Sequence, residues 1–300
     1  MITNLDPNSE LFLANVNRIQ ERIANSSRQV SSGHKIAEPS DAPDQIDGLL
    51  QLRADRERNS QIRSNLSLEL TRAQTADGAL SSAIKLMDRA RTLGTQGATT
   101  TATASGRRNM ADEVQTLIDE MVACSRTAVQ GRFIFSGDAE TTPPYQADAA
   151  SPNGVGRLTG AAATRLLQDP AGGSFAAAKT AQEIFDAPGA SNVFGALSSL
   201  RAALLGGDPT TIAQATATVQ TASLQLNSAQ AFYGAVQGRI TDAQAFAERY
   251  DTQLQTQLSQ MEDADVAAAA LTLSQSNTQL QAAFQMRAAM PHKSLFDFIG

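Results

Sequence analysis

Thirteen apolar residues, Ile212, Ala215, Val219, Ala222, Leu226, Ala229, Tyr233, Val236, Ile240, Ala243, Ala247, Tyr250 and Leu254, follow one another in unbroken steps of three and four. An α-helix packed along a seam keeps such a row on one face; a strand, with its period of two, does not. The run therefore predicts one long helix and a partner for it. Gly234 and Gly238 lie inside it and cost about 1 kcal/mol each relative to alanine. Leu258 and Met261 continue the face. The register then jumps at Glu262-Asp263-Ala264-Asp265 and resumes with Val266, Ala270, Leu273, Leu280 and Phe284, which marks a joint.

The same signal occupies the other end of the chain. Phe12, Val16, Ile19, Ile23 and Val30 alternate by fours and threes, with Ser26 in the missing position. Gly33 stops that helix, and Glu38-Pro39-Ser40-Asp41-Ala42-Pro43 forbids an uninterrupted one. Ser40 or Asp41 caps the next helix, with Pro43 in its first turn, where the missing N–H removes no bond. A long seam follows through Leu66, Leu70, Ala73, Ala76, Leu80, Ala83, Met87 and Ala90 and ends in the Thr-, Ala- and Gly-rich stretch 94–105. A third helix carries Met110, Val114, Leu117, Met121, Cys124 and Ala128, which turns Cys124 inward.

Between the two helical thirds the period changes. Arg132-Phe133-Ile134-Phe135-Ser136-Gly137 alternates and ends in glycine, so it reads as a short strand. The following stretch is rich in Pro, Gly, Ala, Asp and Thr, with Val155 and Leu158 as sparse strand candidates. A helix over 193–205 ends at Gly206-Gly207, and Asp208-Pro209 starts the long C-terminal helix. The expected architecture is mainly α: a long antiparallel helical bundle or coiled coil formed by N- and C-terminal segments, with a small β-containing insertion in the middle. Its divisions are 1–45, 46–137, 138–192, 193–264 and 265–300. Both end segments are narrow and the last is Ala-rich, and they are expected to be disordered in the monomer and to order against other copies.

The chemistry-bearing residues are sparse. One cysteine and two distant histidines, His34 and His292, match no zinc spacing. Cys124 at a seam position reads as packing, and His34 after a glycine reads as a surface loop residue. The acidic run 262–265 lacks the glycine-centred loop that calcium requires, and Gly154-Val155-Gly156-Arg157-Leu158-Thr159-Gly160 lacks the lysine of a phosphate loop. Arg53, Arg56, Arg58, Arg63, Arg107 and Arg108 interleave with acids, so salt links within helices or between subunits are expected rather than nucleic acid. Charged residues make up 18% and the net charge is −6, so no basic face is set against an anionic membrane. No catalytic, cofactor or metal residues are assigned, and no enzymatic activity is expected.

Gln29-Val30-Ser31-Ser32-Gly33-His34-Lys35-Ile36, followed by Glu38-Pro39-Ser40-Asp41-Ala42-Pro43, resembles the N-terminal signature of the bacterial flagellin family. Asn65, Gly78-Ala79-Leu80, Gly238-Arg239-Ile240 and Glu262-Asp263-Ala264-Asp265-Val266-Ala267 continue the resemblance, which spans about residues 10–137 and 226–300. Gly131-Arg132-Phe133-Ile134-Phe135-Ser136-Gly137 with Pro143-Pro144-Tyr145, and the ending Ser294-Leu295-Phe296-Asp297-Phe298-Ile299-Gly300, are similar to the branch of the family that joins hook to filament; the filament flagellin is the alternative, with a cytosolic coiled-coil scaffold behind both.

The resemblance implies an extracellular flagellar subunit, exported without a cleaved signal peptide by the flagellar type III route. It also implies self-association in a ring or helical layer, with a K-type hook-associated protein, flagellin and an export chaperone as partners. The residues expected at the assembly interface are Phe12, Val16, Ile19, Ile23, Val30, Val266, Leu273, Leu280, Phe284, Leu295 and Phe296. The loop 32–43 and the register jump near 263–265 are the expected places for small adjustments.

Overall fold

The chain, in a computed structural model that describes residues 7–36, 38, 41–148 and 150–289, is mainly helical. Helices α1 (Pro7–Ser32), α2 (Ile46–Gly97) and α3 (Ala104–Ser125) precede three antiparallel hairpins. These are β1 (Ala128–Val129) with β2 (Arg132–Phe133), β3 (Tyr145–Ala147) with β4 (Val155–Arg157), and β5 (Leu166–Gln168) with β6 (Ser174–Ala176). Helices α4 (Ala181–Phe185), α5 (Val193–Gly206), α6 (Pro209–Glu262) and α7 (Val266–Ala289) complete the chain. N- and C-terminal helices pack on each other, α1 with α7 and α2 with α6. The described residues up to Arg58 together with those from Asp251 onward form one compact unit, and the described residues from Asn59 to Tyr250 form a second.

In the second unit the seams meet as their spacing dictates. Leu66, Leu80, Ala83, Met87 and Ala90 of α2 are fully buried in one cluster with Ile212, Val219, Ala222, Leu226 and Ile240 of α6 and with Val114 and Met121 of α3. Each Leu, Ile or Val withdrawn from water this way contributes roughly 1.5–3 kcal/mol. The alanines let backbones approach, and the approach is closest at Gly94, where a Cβ would stand 2.2 Å from Thr216 Oγ1 and 3.0 Å from Leu200 Cδ1. The start of α6 is built as its sequence predicts: the Asp208 carboxylate accepts from the Thr211 N–H at 2.9 Å ahead of Pro209, and Gly207 ends α5 at φ 77°.

Two local expectations are corrected. The strand expected over 132–137 is only two residues long. Gln130 and Gly131 both take positive φ, 52° and 75°, the pattern of a two-residue hairpin turn that pairs Ala128 with Phe133. Beyond it the chain turns inward and buries Phe135, edge-on to Phe185 at 5.8 Å and to Tyr233 at 6.1 Å between ring centroids. Core burial of a large ring outweighs continuation of a two-stranded ribbon. Helix α2, in turn, starts at Ile46, so Pro43 stands ahead of it rather than in its first turn. The Asp41 carboxylate instead accepts from the Glu38 N–H at 2.9 Å, closing the loop on itself, and Ser40 lies outside the described residues.

The middle segment is held by polar knots as much as by its core. Thr180 and Glu183 form a reciprocal capping box on α4. Asp186 gathers Tyr145, Arg157 and Asn192, joining the β3–β4 hairpin to the chain ahead of α5. Burial pushes the Tyr145 phenol above its ordinary range, and the neighbouring Asp186 charge adds to that.

Candidate assembly interface

Helices α1 and α7 run antiparallel. Phe12 meets Phe284 edge-on at 6.3 Å, Arg287 lies over the Phe12 ring and donates to Ser9 Oγ, and further along Arg22 reaches Gln279. Val16 and Ser26 of α1 and Ala269 and Ser276 of α7 are buried, while Phe12, Ile19, Ile23, Val30, Leu273 and Leu280 are half-buried. The inward row of α7 is Ala269, Leu273, Ser276, Leu280 and Ala283, so its seam differs from the one expected through Val266 and Ala270, both of which are exposed. The break the sequence marks at 262–265 does reset the phase of the helix, but the size of the shift is not fixed by spacing.

Outside, several large apolar side chains stand among polar ones. Leu11, Leu13, Val266, Leu271, Phe284 and Met286 are exposed, Leu11 at 65% and Met286 at 66%. Of the expected interface residues, Val266 and Phe284 belong to this outer set, while Leu295 and Phe296 lie outside the described residues. Leu11, Leu13, Leu271 and Met286 are exposed apolar residues that the expected seam does not include.

The two interruptions expected to permit adjustment pair with each other. His34 and Asp263 form an antiparallel bridge: Lys35 N–H donates to Glu262 O at 2.7 Å and Ala264 N–H donates to Gly33 O at 2.8 Å. His34 Nδ1 stands 3.5 Å from the Asp263 carboxylate, with about half of each side chain exposed. The acidic run is occupied by the protein itself. Glu262 takes Arg53, Asp263 takes the Ser259 hydroxyl, and Asp265 caps α7 through the Ala268 N–H at 3.0 Å. Ile36, Leu49 and Leu258 bury a small apolar cluster in the same unit.

Of the α2 arginines, Arg72 and Arg91 pair along the helix with Glu69 and Asp88, while Arg53, Arg56 and Arg63 pair with acids of α6 in the same chain. Arg53 meets Glu262, Arg56 meets Asp251 at 3.4 Å, and Arg63 meets Glu248 at 3.8 Å. Arg107 donates to the carbonyls of Gly97, the last residue of α2, and of Thr99 just beyond it. Burial, with Glu120 nearby, pushes the Cys124 thiol up, so the thiolate is disfavoured. The glycine-rich stretch from Gly154 to Gly160 contains β4 and makes no phosphate cradle at a helix N-terminus. Among the described residues no three metal-ligating side chains gather, and no helix is long and apolar enough to cross a membrane.

Paired terminal helices, a helical bundle and a small hairpin insertion make up the described fold. The description of the bacterial flagellin N-terminal helical region matches residues 7–140, and that of the C-terminal helical region matches residues 216–299. The chain belongs to the bacterial flagellin family and is a non-enzymatic structural component of the flagellar axis. Solved structures share the fold. A protein of Vibrio parahaemolyticus assigned as a flagellar hook-associated protein superposes with a TM-score of 0.65 at 18% identity, covering 74% of this chain and 100% of that one. FlgL of Xanthomonas campestris gives 0.58 at 16%, covering 70% and 99%, and FlgL of Bacillus cereus gives 0.55 at 16%, covering 71% and 100%. Among curated proteins, none matches the sequence.

Proposed function

We propose that the chain is the adaptor at the hook-filament junction, connecting a K-type hook-associated protein to the first flagellin subunits. The observation that carries this reading is that FlgL structures from two organisms are matched by this fold over 99–100% of their length. The Phe133-to-Gly137 segment supports it, since the turn that buries Phe135 leads into Pro143-Pro144-Tyr145, with Tyr145 buried against Phe194.

In this reading the protein leaves the cell through the flagellar type III channel without cleavage and stands outside the cell at the junction. Residues 1–45 and 265–300 act as assembly segments. Among the described residues of α1 and α7 only Val16, Ser26, Ala269 and Ser276 are buried, too little apolar burial to hold two helices in an isolated monomer. Covering Leu11, Leu271 and Met286 by a second copy supplies what is missing. An export chaperone covers the C-terminal helix before assembly. Limited proteolysis of the monomer should trim both ends and spare the segment 46–264; a monomer whose ends resist the protease would overturn the assembly-segment reading.

The junction role is tested by electron microscopy of cells lacking the protein, with flagellin assayed in the medium. Bare hooks with flagellin shed into the medium are expected. Absence of filaments without shed flagellin would identify the bulk filament subunit instead, and intact filaments would sink both readings.

A further inference from the structure

The turn joining β3 to β4 contains the one Asn-Gly step in the sequence, Asn153 followed by Gly154. Gly154 takes φ +72° and, having no Cβ, sets no side chain of its own beside its backbone nitrogen. Asn153 is half-buried, and its side chain makes no hydrogen bond among the described residues, which leaves the amide free to rotate toward that nitrogen. Both residues line a cleft of about 450 Å³ closed on its other walls by α3 and α5.

Arg201 of α5 lines the same cleft, its Nε buried without a hydrogen-bond partner, and it forms no ion pair among the described residues. A buried guanidinium donor left unpaired costs free energy that a carboxylate relieves. Asp148, the acid already in the cleft, is committed to the turn. It accepts from the Ser151 hydroxyl at 2.7 Å and from the Ala150 N–H at 3.0 Å, which hold its carboxyl below the ordinary range.

We propose that Asn153 is a site of spontaneous deamidation, and that the carboxylate it forms pairs with Arg201 and ties the β3–β4 turn to α5. The Gly154 nitrogen attacks Cγ of Asn153. The new N–Cγ bond forms, the Cγ–Nδ2 bond breaks, and the amide nitrogen leaves as ammonia, taking the proton that the Gly154 nitrogen gives up. Water then opens the cyclic imide at either carbonyl, yielding aspartate or isoaspartate and one proton. No oxidation or reduction occurs. The Gly154 N–H donates to Ser151 O at 2.9 Å, so the turn must open before attack, and the reaction is slower in the folded protein than in the unfolded chain.

The test is prolonged incubation of the full chain at mildly alkaline pH, with and without urea, followed by peptide mapping by mass spectrometry. A gain of about one mass unit at residue 153 is expected in both, faster in urea. In parallel, Asn153→Asp should raise Tm by about 2 °C in the natural chain, less in Arg201→Lys, and not at all in Arg201→Gln. Asn153 remaining intact in the folded chain while other asparagines convert would overturn the site. An equal shift in all three Arg201 backgrounds would overturn the pairing.

Discussion

Glu140, in the segment after β2, accepts from Arg72 of α2 at 3.2 Å, a contact between residues 68 positions apart. Arg132 at 2.8 Å and Arg165 converge on the same carboxylate, and Glu69 binds both Arg72 and Arg165. The network joins two of the three hairpin regions to the longest N-terminal helix. Arg72, Glu69 and Glu140 are each at most 15% exposed at the side chain, so removing one partner strands charge away from water.

Glu140→Gln should therefore destabilise the bundle by about 3 kcal/mol, read by urea unfolding with circular dichroism. Burial pushes the Glu140 carboxyl up, but the Arg132 hydrogen bond and the charges of Arg165 and Arg72 outweigh it and hold the group below the usual carboxylate range. Its contribution is present above the unfolded carboxyl value of about 4.3 and is lost as pH falls through the lower folded value. The stability gap between natural chain and variant should close in acid. A gap unchanged down to the lowest pH at which the protein stays folded would show that the carboxylate charge is not what the network uses.

Burial pushes the Tyr233 phenol up to about 12, with the Glu183 and Glu69 charges adding to it. A phenol that ionises later in the folded state contributes stability fully below the unfolded value of about 10 and loses it as pH rises to the folded value. Ultraviolet titration should find one phenolate step near 12 that disappears in Tyr233→Phe. If that substitution removes a step near 10 instead, the ring is not held in the core as described.

Gly94→Ala should destabilise by roughly 1–2 kcal/mol despite alanine's higher helix propensity, because the new methyl runs into Thr216 Oγ1. Gly94→Ala with Thr216→Ala should recover most of the loss. Gly78→Ala, which meets nothing within 4 Å, should stabilise the isolated chain by up to about 1 kcal/mol. Thermal melting of the four chains decides it, and equal melting of Gly78→Ala and Gly94→Ala would refute the close approach.

Leu271→Asp and Met286→Asp change exposed side chains, so the monomer should unfold within about 0.5 kcal/mol of the natural chain. Incorporation into flagella, scored by swimming in cells carrying only the variant, should fall sharply. Full swimming would show that this outer face is not covered in the assembly.

The seams through Leu66, Leu80 and Met87 and through Ile212, Val219 and Leu226 were legible because helical period is written locally, one residue at a time. The caps at Asp208 and Gly207 were legible for the same reason. The hairpins were legible only in part, at Arg132-Phe133 and Val155. Their strands are two or three residues long, below the length at which alternation can be recognised, and they form because Phe135, Tyr145, Leu167 and Phe175 are drawn into a core supplied by distant helices. The positive φ of Gln130 had no glycine to announce it.

The expected interface divided in the same way. Val16 and the half-buried residues of α1 followed from spacing, but the phase of α7 did not. The bridge between His34 and Asp263 restarts that helix after a break, and only the folded chain brings the two positions together. The sequence by itself determined helical class, antiparallel terminal pairing and family, since these rest on period and short motifs that act within one or two turns. Which apolar residues are left for a partner, where the arginines of α2 find their acids, and how the insertion is tied down were decided by tertiary structure, because each depends on charges and surfaces tens to hundreds of residues apart meeting where water is excluded.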